Sequence, residues 1–202
     1  MTDASADRQT VIGVLALQGA FDAHVRMLSS FGVQTVLVRK PEQLAGIHGL
    51  VIPGGESTTL LKHLERVGFF EALRNFVVAT PTFGTCAGII LLAKRVANPA
   101  QASLEVLDVT VERNAYGRQN DSRILEAETT LPGGPIEMVY IRAPRITQVG
   151  SEVEVLAERD GAPTLVRQGH LLAATFHPEL SHDTRVHQLF VEAVEARQLL
   201  NG

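Results

Sequence analysis

The first half of the chain alternates short apolar runs with segments of helical periodicity. The runs at 11–17, 33–38 and 49–52 are rich in branched aliphatic residues and contain few polar ones. Such runs are typical of strands that are buried on both faces. Between them, apolar residues recur three and four positions apart, as they do in helices that pack on a sheet. Few folds accommodate this alternation, and it predicts a doubly wound, mostly parallel α/β sheet flanked by helices.

Capping residues predict where the helices of this half begin and end. Gly32 follows the first helical segment as a C-terminal cap. Ser57 or Thr58 can N-cap the next amphipathic helix, and a further helix is expected over about 70–78. A short apolar helix, 89–93, follows in sequence.

From residue 104 onward, the pattern of apolar and turn-forming residues changes. Short strand-like segments are separated by turn signals such as Pro132-Gly133-Gly134-Pro135. They predict a small antiparallel addition, and a helix over about 183–199 follows it. We therefore expect a single domain over 11–202, preceded by a frayed or disordered stretch at 1–10. The predicted strands cover 104–111, 124–128, 138–141, 153–157, 164–167 and 171–176.

Composition and charge exclude several classes of function. A hydrophobic content of 45% in 202 residues is sufficient for the core of one domain. A net charge of −4 with scattered Lys and Arg disfavours nucleic acid and anionic membranes as partners. No apolar stretch approaches the ~20 residues of a membrane-spanning helix, and the polar N-terminus carries no signal-type segment. The lone cysteine, Cys86, cannot form an internal disulfide, so a cytoplasmic location is expected.

Cys86 stands between two glycines in Gly84-Thr85-Cys86-Ala87-Gly88, where a strand is predicted to turn sharply into a helix. This is the thiol form of the nucleophile elbow, G-x-Nuc-x-G. The helix that begins at Ala87 offers free N–H groups and a positive dipole end, which stabilise a thiolate and later an oxyanion. The alternative is a small buried cysteine that only packs the strand against the helix.

His177-Pro178-Glu179 follows the predicted strand 171–176, at its carboxyl end. Residues two apart in an extended segment point to the same side, and Pro178 keeps His177 out of the helical region. Glu179 can therefore reach the imidazole and fix its tautomer, which leaves the other nitrogen for Cys86. Alone, this tripeptide is a weak signal, and a loop histidine with an incidental acid is the commoner explanation of it. The two motifs together are stronger, because sites in α/β sheets lie at the carboxyl ends of strands.

A glycine-rich loop, Pro53-Gly54-Gly55-Glu56-Ser57, follows the third predicted strand. Successive glycines allow backbone N–H groups to face an oxyanion, and we expect Gly55 and Ala87 to form an oxyanion hole. Two other interpretations are a tight turn capped by Ser57 and a phosphate loop. The lysine of a Walker motif is missing, so the phosphate loop is set aside.

Taken together, P-G-G-E-S, G-T-C-A-G and H-P-E resemble the class I (triad) glutamine amidotransferases. The opening Val14-Leu15-Ala16-Leu17-Gln18-Gly19 and the stretch Glu112-Arg113-Asn114 are similar to the branch that serves pyridoxal 5′-phosphate synthase. Many class I relatives carry Gln two residues after the second elbow glycine, whereas this chain has Ile90, a departure that favours the same branch. The resemblance covers nearly the whole chain and implies a flavodoxin-like fold of the amidotransferase type.

The resemblance also implies a set of site residues and a partner. Cys86, His177 and Glu179 would be the triad of a glutaminase that needs neither metal nor cofactor. The ammonia released from L-glutamine would pass to the pyridoxal phosphate-forming synthase subunit within a large hetero-oligomer. The implied glutamine-binding residues are Gly54, Gly55, Glu56, Arg113, Ile141 and Arg142. Which arginine holds the glutamine carboxylate is left open.

Three alternatives remain at this point. The chain could serve another ammonia-using enzyme such as imidazole glycerol phosphate synthase, be an unrelated Cys-dependent hydrolase on a similar sheet, or be a non-catalytic binding subunit. Zinc binding by His182 and His187 is disfavoured, because residues five apart do not share a helix face. His24 has no partner pattern, and a surface or packing role is expected for it.

Overall fold

The computed structural model describes residues 9–113 and 123–200. The prediction of a frayed or disordered N-terminus therefore falls mostly outside the described residues, as does Asn114. Thr10 is described: it is buried, and its hydroxyl donates a hydrogen bond to Gln198 Oε1 at 2.7 Å. Residue 10 is thus tied to the end of the last helix.

The first half of the chain forms the elements that carry the glycine-rich motifs. Apolar strands, most of them buried, alternate with amphipathic helices, as the periodicity predicts. The elements are β1 (Val11–Leu15), α1 (Phe21–Ser29), β2 (Gln34–Val38), β3 (Gly49–Ile52), α2 (Ser57–Arg66), α3 (Phe70–Ala79), β4 (Thr82–Thr85) and α4 (Ala87–Leu92).

The second half consists mostly of strands and ends in a long helix. A 3₁₀ turn, Pro178–Leu180, separates the last strand from that helix. The elements are β5 (Ala93–Ala97), β6 (Leu107–Glu112), β7 (Arg123–Thr129), β8 (Ile136–Tyr140), β9 (Arg145–Val149), β10 (Glu154–Arg159), β11 (Ala162–Gln168), β12 (Leu171–Ala174) and α5 (Arg185–Leu200).

The strands form a large sheet in the order β2-β1-β3-β4-β12-β11-β10-β7-β8. From β2 to β12 neighbouring strands are parallel, and from β12 to β8 they are antiparallel. A second, smaller sheet has the order β5-β6-β9. The predicted fold class, a mostly parallel doubly wound sheet with an antiparallel addition, is confirmed.

Three local predictions need correction. The strands β5 and β9 were not predicted, because both are short and largely exposed and gain their order from β6, to which each pairs. The predicted helix end at Ala93 belongs to β5 instead. The N-cap of α2 is Glu56, because its carboxylate accepts hydrogen bonds from the Thr58 and Thr59 N–H groups at 3.0 and 2.7 Å.

The core lies on both faces of the sheet. On one face, α2, α3 and α4 pack over residues such as Leu15 and Ile52, and on the other, α1 and α5 pack over Ile12 and Phe83. Each fully buried side chain of this kind contributes about 1.5–3 kcal/mol of apolar burial. Among the described helices, none combines the length and hydropathy that crossing a bilayer requires.

The register of the central strands brings three loops to one level. Ile52 of β3 pairs with Gly84 of β4, and Thr85 of β4 pairs with Ala174 of β12. The segments that follow β3, β4 and β12 therefore leave the sheet side by side at its carboxyl edge. These are the three segments in which sequence patterns predict a functional site.

Candidate active site

Cys86 occupies a strained turn between β4 and α4. Its φ of 50° and ψ of −101° lie outside the regions that most L-residues adopt. The neighbouring glycines are required by close packing: a Cβ on Gly84 would lie 2.7 Å from Leu92 Cδ1, and one on Gly88 would overlap the Ile52 carbonyl oxygen. The backbone N–H of Cys86 donates to Ala174 O at 2.9 Å, which fastens the turn to β12. The geometry is that of a nucleophile elbow.

His177 and Glu179 form the pair that the spacing predicts. His177 Nδ1 lies 2.7 Å from Glu179 Oε1, and both side chains are buried. The local route differs from the prediction. His177 is non-helical, with φ −110° and ψ 82°, but Glu179 lies in the 3₁₀ turn that begins at Pro178 rather than in an extended segment. The turn, not strand alternation, folds the carboxylate back onto the imidazole.

The imidazole also lies near the thiol. His177 and Cys86 line the same cavity, and a Cβ placed on Gly54 would lie close to both side chains. Burial alone would lower the pKa of His177, but the hydrogen bonds and charges of Cys86 and Glu179 outweigh it and raise this pKa to about 10. His177 is therefore held as an imidazolium at neutral pH.

The glycine-rich loop packs directly on this pair. The Gly54 N–H donates to Thr85 Oγ1 at 3.1 Å, and a Cβ on Gly54 would overlap His177 Cε1 and lie 3.1 Å from Cys86 Cβ. A Cβ on Gly19 would overlap the Gly54 carbonyl oxygen. That oxygen thus points to the β1 side, and in a trans peptide the following Gly55 N–H points the opposite way.

Gln18 holds the other side of the loop. Gly55 has a φ of 148°, and a Cβ there would lie 2.5 Å from the Gln18 amide. The Gln18 Oε1 accepts a hydrogen bond from the Glu56 N–H at 3.0 Å. The loop is therefore fixed by contacts from β4 on one side and from the segment after β1 on the other.

A cavity of about 580 Å³ opens beside the sulfur. Its size is within the range of small-molecule sites. In addition to the thiol, it presents one carboxylate, two guanidinium groups and one imidazole. Its lining consists of Gly55, Glu56, Ser57, Cys86, Ile90, Arg113, Ile141, Arg142 and His177.

Glu56 and Arg113 form a charged wall of this cavity. Arg113 Nη2 lies 3.6 Å from Glu56 Oε1 and donates to Thr58 Oγ1 at 2.7 Å. Partial burial raises the pKa of Glu56, but hydrogen bonds from Thr59 and Thr58 outweigh it and lower this pKa to about 2. Glu56 is thus an anion throughout the neutral range and can face an ammonium group.

The structure brings nearly all of the predicted site residues together. Cys86, His177, Gly55, Glu56, Arg113, Ile141 and Arg142 line the cavity. Glu179 lies behind His177, Gly54 packs beneath the ring, and Ala87 is the first residue of α4, so these three support the site without lining it.

Sequence reasoning missed two histidines near the site. His24, for which a surface or packing role was expected, is fully buried and contacts His187, Thr85 and Glu179. The signal that could have found it is its position on the apolar face of α1, four residues before Leu28. His187 shares the buried face of α5 with Phe190 and its neighbours in the same way.

Comparisons with known proteins show the family to which the chain is related. Residues 14–196 match the SNO glutamine amidotransferase family. The pyridoxal 5′-phosphate synthase subunit PdxT of Koribacter versatilis is 66% identical over 183 residues, which cover 91% of this chain and 95% of that protein. The PdxT subunit of Niallia circulans is 49% identical over 192 residues, covering 92% and 99% of the two chains.

Solved structures give the same grouping. A crystal structure described as a glutamine amidotransferase has a TM-score of 0.84 and 45% sequence identity, and the match covers 91% of this chain and 98% of that one. A putative GMP synthase component from Thermoplasma acidophilum has a TM-score of 0.73 at 16% identity, with 96% and 98% covered. The second likeness concerns the fold alone.

Proposed function

The chain belongs to the SNO glutamine amidotransferase family, and we propose that it hydrolyses L-glutamine with Cys86 as nucleophile, His177 as base and acid, and Glu179 as the group that orients His177. It is the glutaminase subunit of a pyridoxal 5′-phosphate synthase, because two relatives that are 66% and 49% identical to it bear the name of a subunit of that enzyme. The observation that carries the residue assignment is the 2.7 Å contact of His177 Nδ1 with Glu179 Oε1, at the edge of the cavity that His177 and Cys86 both line.

Glutamine fits the charges of the cavity. Its α-ammonium group pairs with Glu56, which is an anion at neutral pH. Its α-carboxylate pairs with a guanidinium, and Arg113 is well placed because it is mostly buried and already faces the cavity. Ile141 and Arg142 complete the opposite wall. The side-chain amide of glutamine then extends toward the Cys86 sulfur.

The reaction proceeds in two stages, the formation of a γ-glutamyl thioester on Cys86 and its hydrolysis. The Cys86 thiolate, formed by transfer of its proton to His177, attacks the amide carbon and yields a tetrahedral oxyanion. The His177 imidazolium then protonates the departing ammonia. Its raised pKa of about 10 suits this second role, since the proton stays on the ring until the leaving group needs it. Water afterwards hydrolyses the γ-glutamyl thioester, with His177 as the base.

The oxyanion requires donors beside the elbow. We assign this role to the backbone N–H groups of Gly55 and Ala87. Ala87 opens α4, where N–H groups have no partner within the helix, and the Gly55 N–H is directed away from β1. Losing one such donor typically costs on the order of 10²–10³ in kcat. A small rotation of the Gly54–Gly55 peptide would therefore switch the enzyme off.

The proposed setting is a hetero-oligomer in the cytoplasm. The synthase subunit receives the ammonia, and we expect glutamine turnover to depend on that subunit because free ammonia release would be wasteful. The reduced state that Cys86 needs as a nucleophile supports the cytoplasm as the location.

The test is ammonia release from glutamine by wild type and Cys86→Ala, each with and without the synthase subunit. We expect turnover only from wild type and much faster turnover in the complex. Turnover by Cys86→Ala would overturn the assignment of the nucleophile. Equal rates with and without the synthase would overturn the dependence on the partner but not the activity. Activation by a cyclase of the imidazole glycerol phosphate type instead would overturn the pathway.

A further inference from the structure

Two histidines that the proposed mechanism does not use lie behind Glu179. His24 on α1 and His187 on α5 are both fully buried. His24 Nδ1 is 2.9 Å from His187 Nε2, and His24 Nε2 is 3.2 Å from Thr85 Oγ1 and 3.4 Å from Glu179 Oε2. Within the described residues, the buried Glu179 Oε2 has no hydrogen-bond partner, and the approach of His24 Nε2 at 3.4 Å is an electrostatic contact. His24 thus occupies the space behind the second carboxylate oxygen.

The hydrogen-bonding capacities of these groups favour one arrangement of protons. A carboxylate can only accept, so a proton on His24 Nε2 avoids placing a lone pair of the ring against the charge of Glu179 Oε2. Burial, and then the neighbouring His187 and His177, hold the pKa of His24 well below its usual range, and burial lowers the pKa of His187 to about 3. Both rings are therefore neutral at neutral pH. A neutral His24 with a proton on Nε2 accepts at Nδ1, and His187 Nε2–H is its donor.

The far end of the pair agrees with this arrangement. His187 Nδ1 is buried and has no hydrogen-bond partner in the part of the chain that is described. With the proton on Nε2, His187 Nδ1 carries only a lone pair and no N–H group. The reverse arrangement would bury an N–H group without an acceptor, which proteins rarely tolerate. The edge-on ring of Phe83 packs against both imidazoles and fixes their planes.

We propose that His24 and His187 are positioning residues of the glutaminase. His187 fixes the tautomer of His24, and the Nε2–H of His24 holds the second oxygen of Glu179, which in turn orients His177. His24 also contacts Thr85, whose hydroxyl accepts the Gly54 N–H. One buried ring therefore supports both the base and the glycine-rich loop. This inference rests on the proposed function for its kinetic consequence but not for its proton arrangement.

Two substitutions of His24 separate positioning from simple packing. Gln places its amide nitrogen near the position of Nε2, so His24→Gln keeps a donor toward Glu179 and Thr85. Asn ends near the position of Nδ1, so His24→Asn keeps a partner for His187 but leaves Glu179 Oε2 without a donor. Both variants are assayed in complex with the synthase subunit. We expect His24→Asn to lower kcat about 10- to 100-fold at unchanged KM, which is the effect of losing a hydrogen bond to a charged group. His24→Gln should stay within about threefold of wild type.

Equal losses in the two variants, or a loss that appears in KM, would overturn the proposal. Because a variant at a fully buried site can fail to fold, the proton arrangement is also measured in the unaltered protein, by ¹⁵N NMR of the histidine rings. We expect neutral rings with the proton on Nε2 for both His24 and His187 between about pH 6 and 9. A proton on Nδ1 of His24, or a charged ring, would overturn the proposal. A wild-type complex without glutaminase activity would instead sink the proposed function, and the NMR result would stand by itself.

Discussion

Gly54 and His177 are packed so closely that a single methyl group on residue 54 would overlap the imidazole ring at Cε1. The same methyl group would lie 3.1 Å from Cys86 Cβ. The absence of a side chain at position 54 is therefore a condition for the ring to stand between sulfur and carboxylate.

Gly54→Ala should abolish most of the glutaminase activity. The new Cβ must displace either the His177 ring or the loop, and a misplacement of about 1 Å can cost about 10²-fold in rate. The measurement is kcat in the complex with the synthase. Gly46→Ala is the control, because Gly46 also has a restrictive backbone (φ +80°) but open space around it. A Gly54→Ala enzyme with wild-type kcat would contradict the geometry.

The ring of His177 should titrate far above the usual range. Its pKa is raised to about 10 by Cys86 and Glu179, so the imidazolium should persist through neutral pH and lose its proton only as the pH approaches about 10. NMR of the ring in wild type should place the midpoint there. Cys86→Ala removes one of the two causes and should lower the midpoint. A wild-type midpoint near 6.5, the ordinary value, would refute the ion pair.

Glu56→Gln should lower the free energy of unfolding by an amount that depends on pH. The folded-state pKa of Glu56 is about 2, below its ordinary value of 4.5, so the carboxylate stabilises the fold above about pH 4.5 and loses this effect as the pH falls toward 2. Its side chain is 58% exposed, so the loss near pH 7 should not exceed about 1 kcal/mol. Urea unfolding of both proteins at several pH values measures it. A difference that grows on acidification would contradict this role.

Arg113→Lys should raise KM for glutamine more than it lowers kcat. Lysine keeps the charge but lacks the planar pair of donors that binds a carboxylate through two hydrogen bonds, and a loss of about 10- to 100-fold in affinity is expected. Arg142→Lys is the matched comparison, because Arg142 lines the same cavity. If Arg142→Lys has the larger effect on KM, Arg142 and not Arg113 holds the carboxylate.

Local sequence patterns were sufficient where an element is determined by its own residues. The bounds of β3, Gly49–Ile52, follow from four apolar residues between His48 and Pro53. The elbow at Cys86 follows from its two glycines. The pairing of His177 with Glu179 was predicted from their spacing, although the 3₁₀ turn at Pro178 and not strand alternation produces it. Each of these features depends on neighbours within a few positions.

The features that sequence reasoning missed depend on distant parts of the chain. The strands β5 and β9 exist because β6 lies between them. The contact of His24 with His187 joins residues 163 positions apart, and no local pattern encodes it. The backbone of Glu56, the N-cap of α2, also donates to Gln18 Oε1, which lies 38 positions earlier in the segment after β1.

The position of β12 between β4 and β11 has a consequence for the order in which the site forms during synthesis. The proposed nucleophile, Cys86, lies near the middle of the chain, whereas its proposed base, His177, follows a strand from the last fifth of it. During synthesis on the ribosome, the thiol must emerge long before the histidine that activates it. If Cys86 and His177 act as proposed, a nascent or truncated chain that lacks β12 and His177 cannot hydrolyse glutamine.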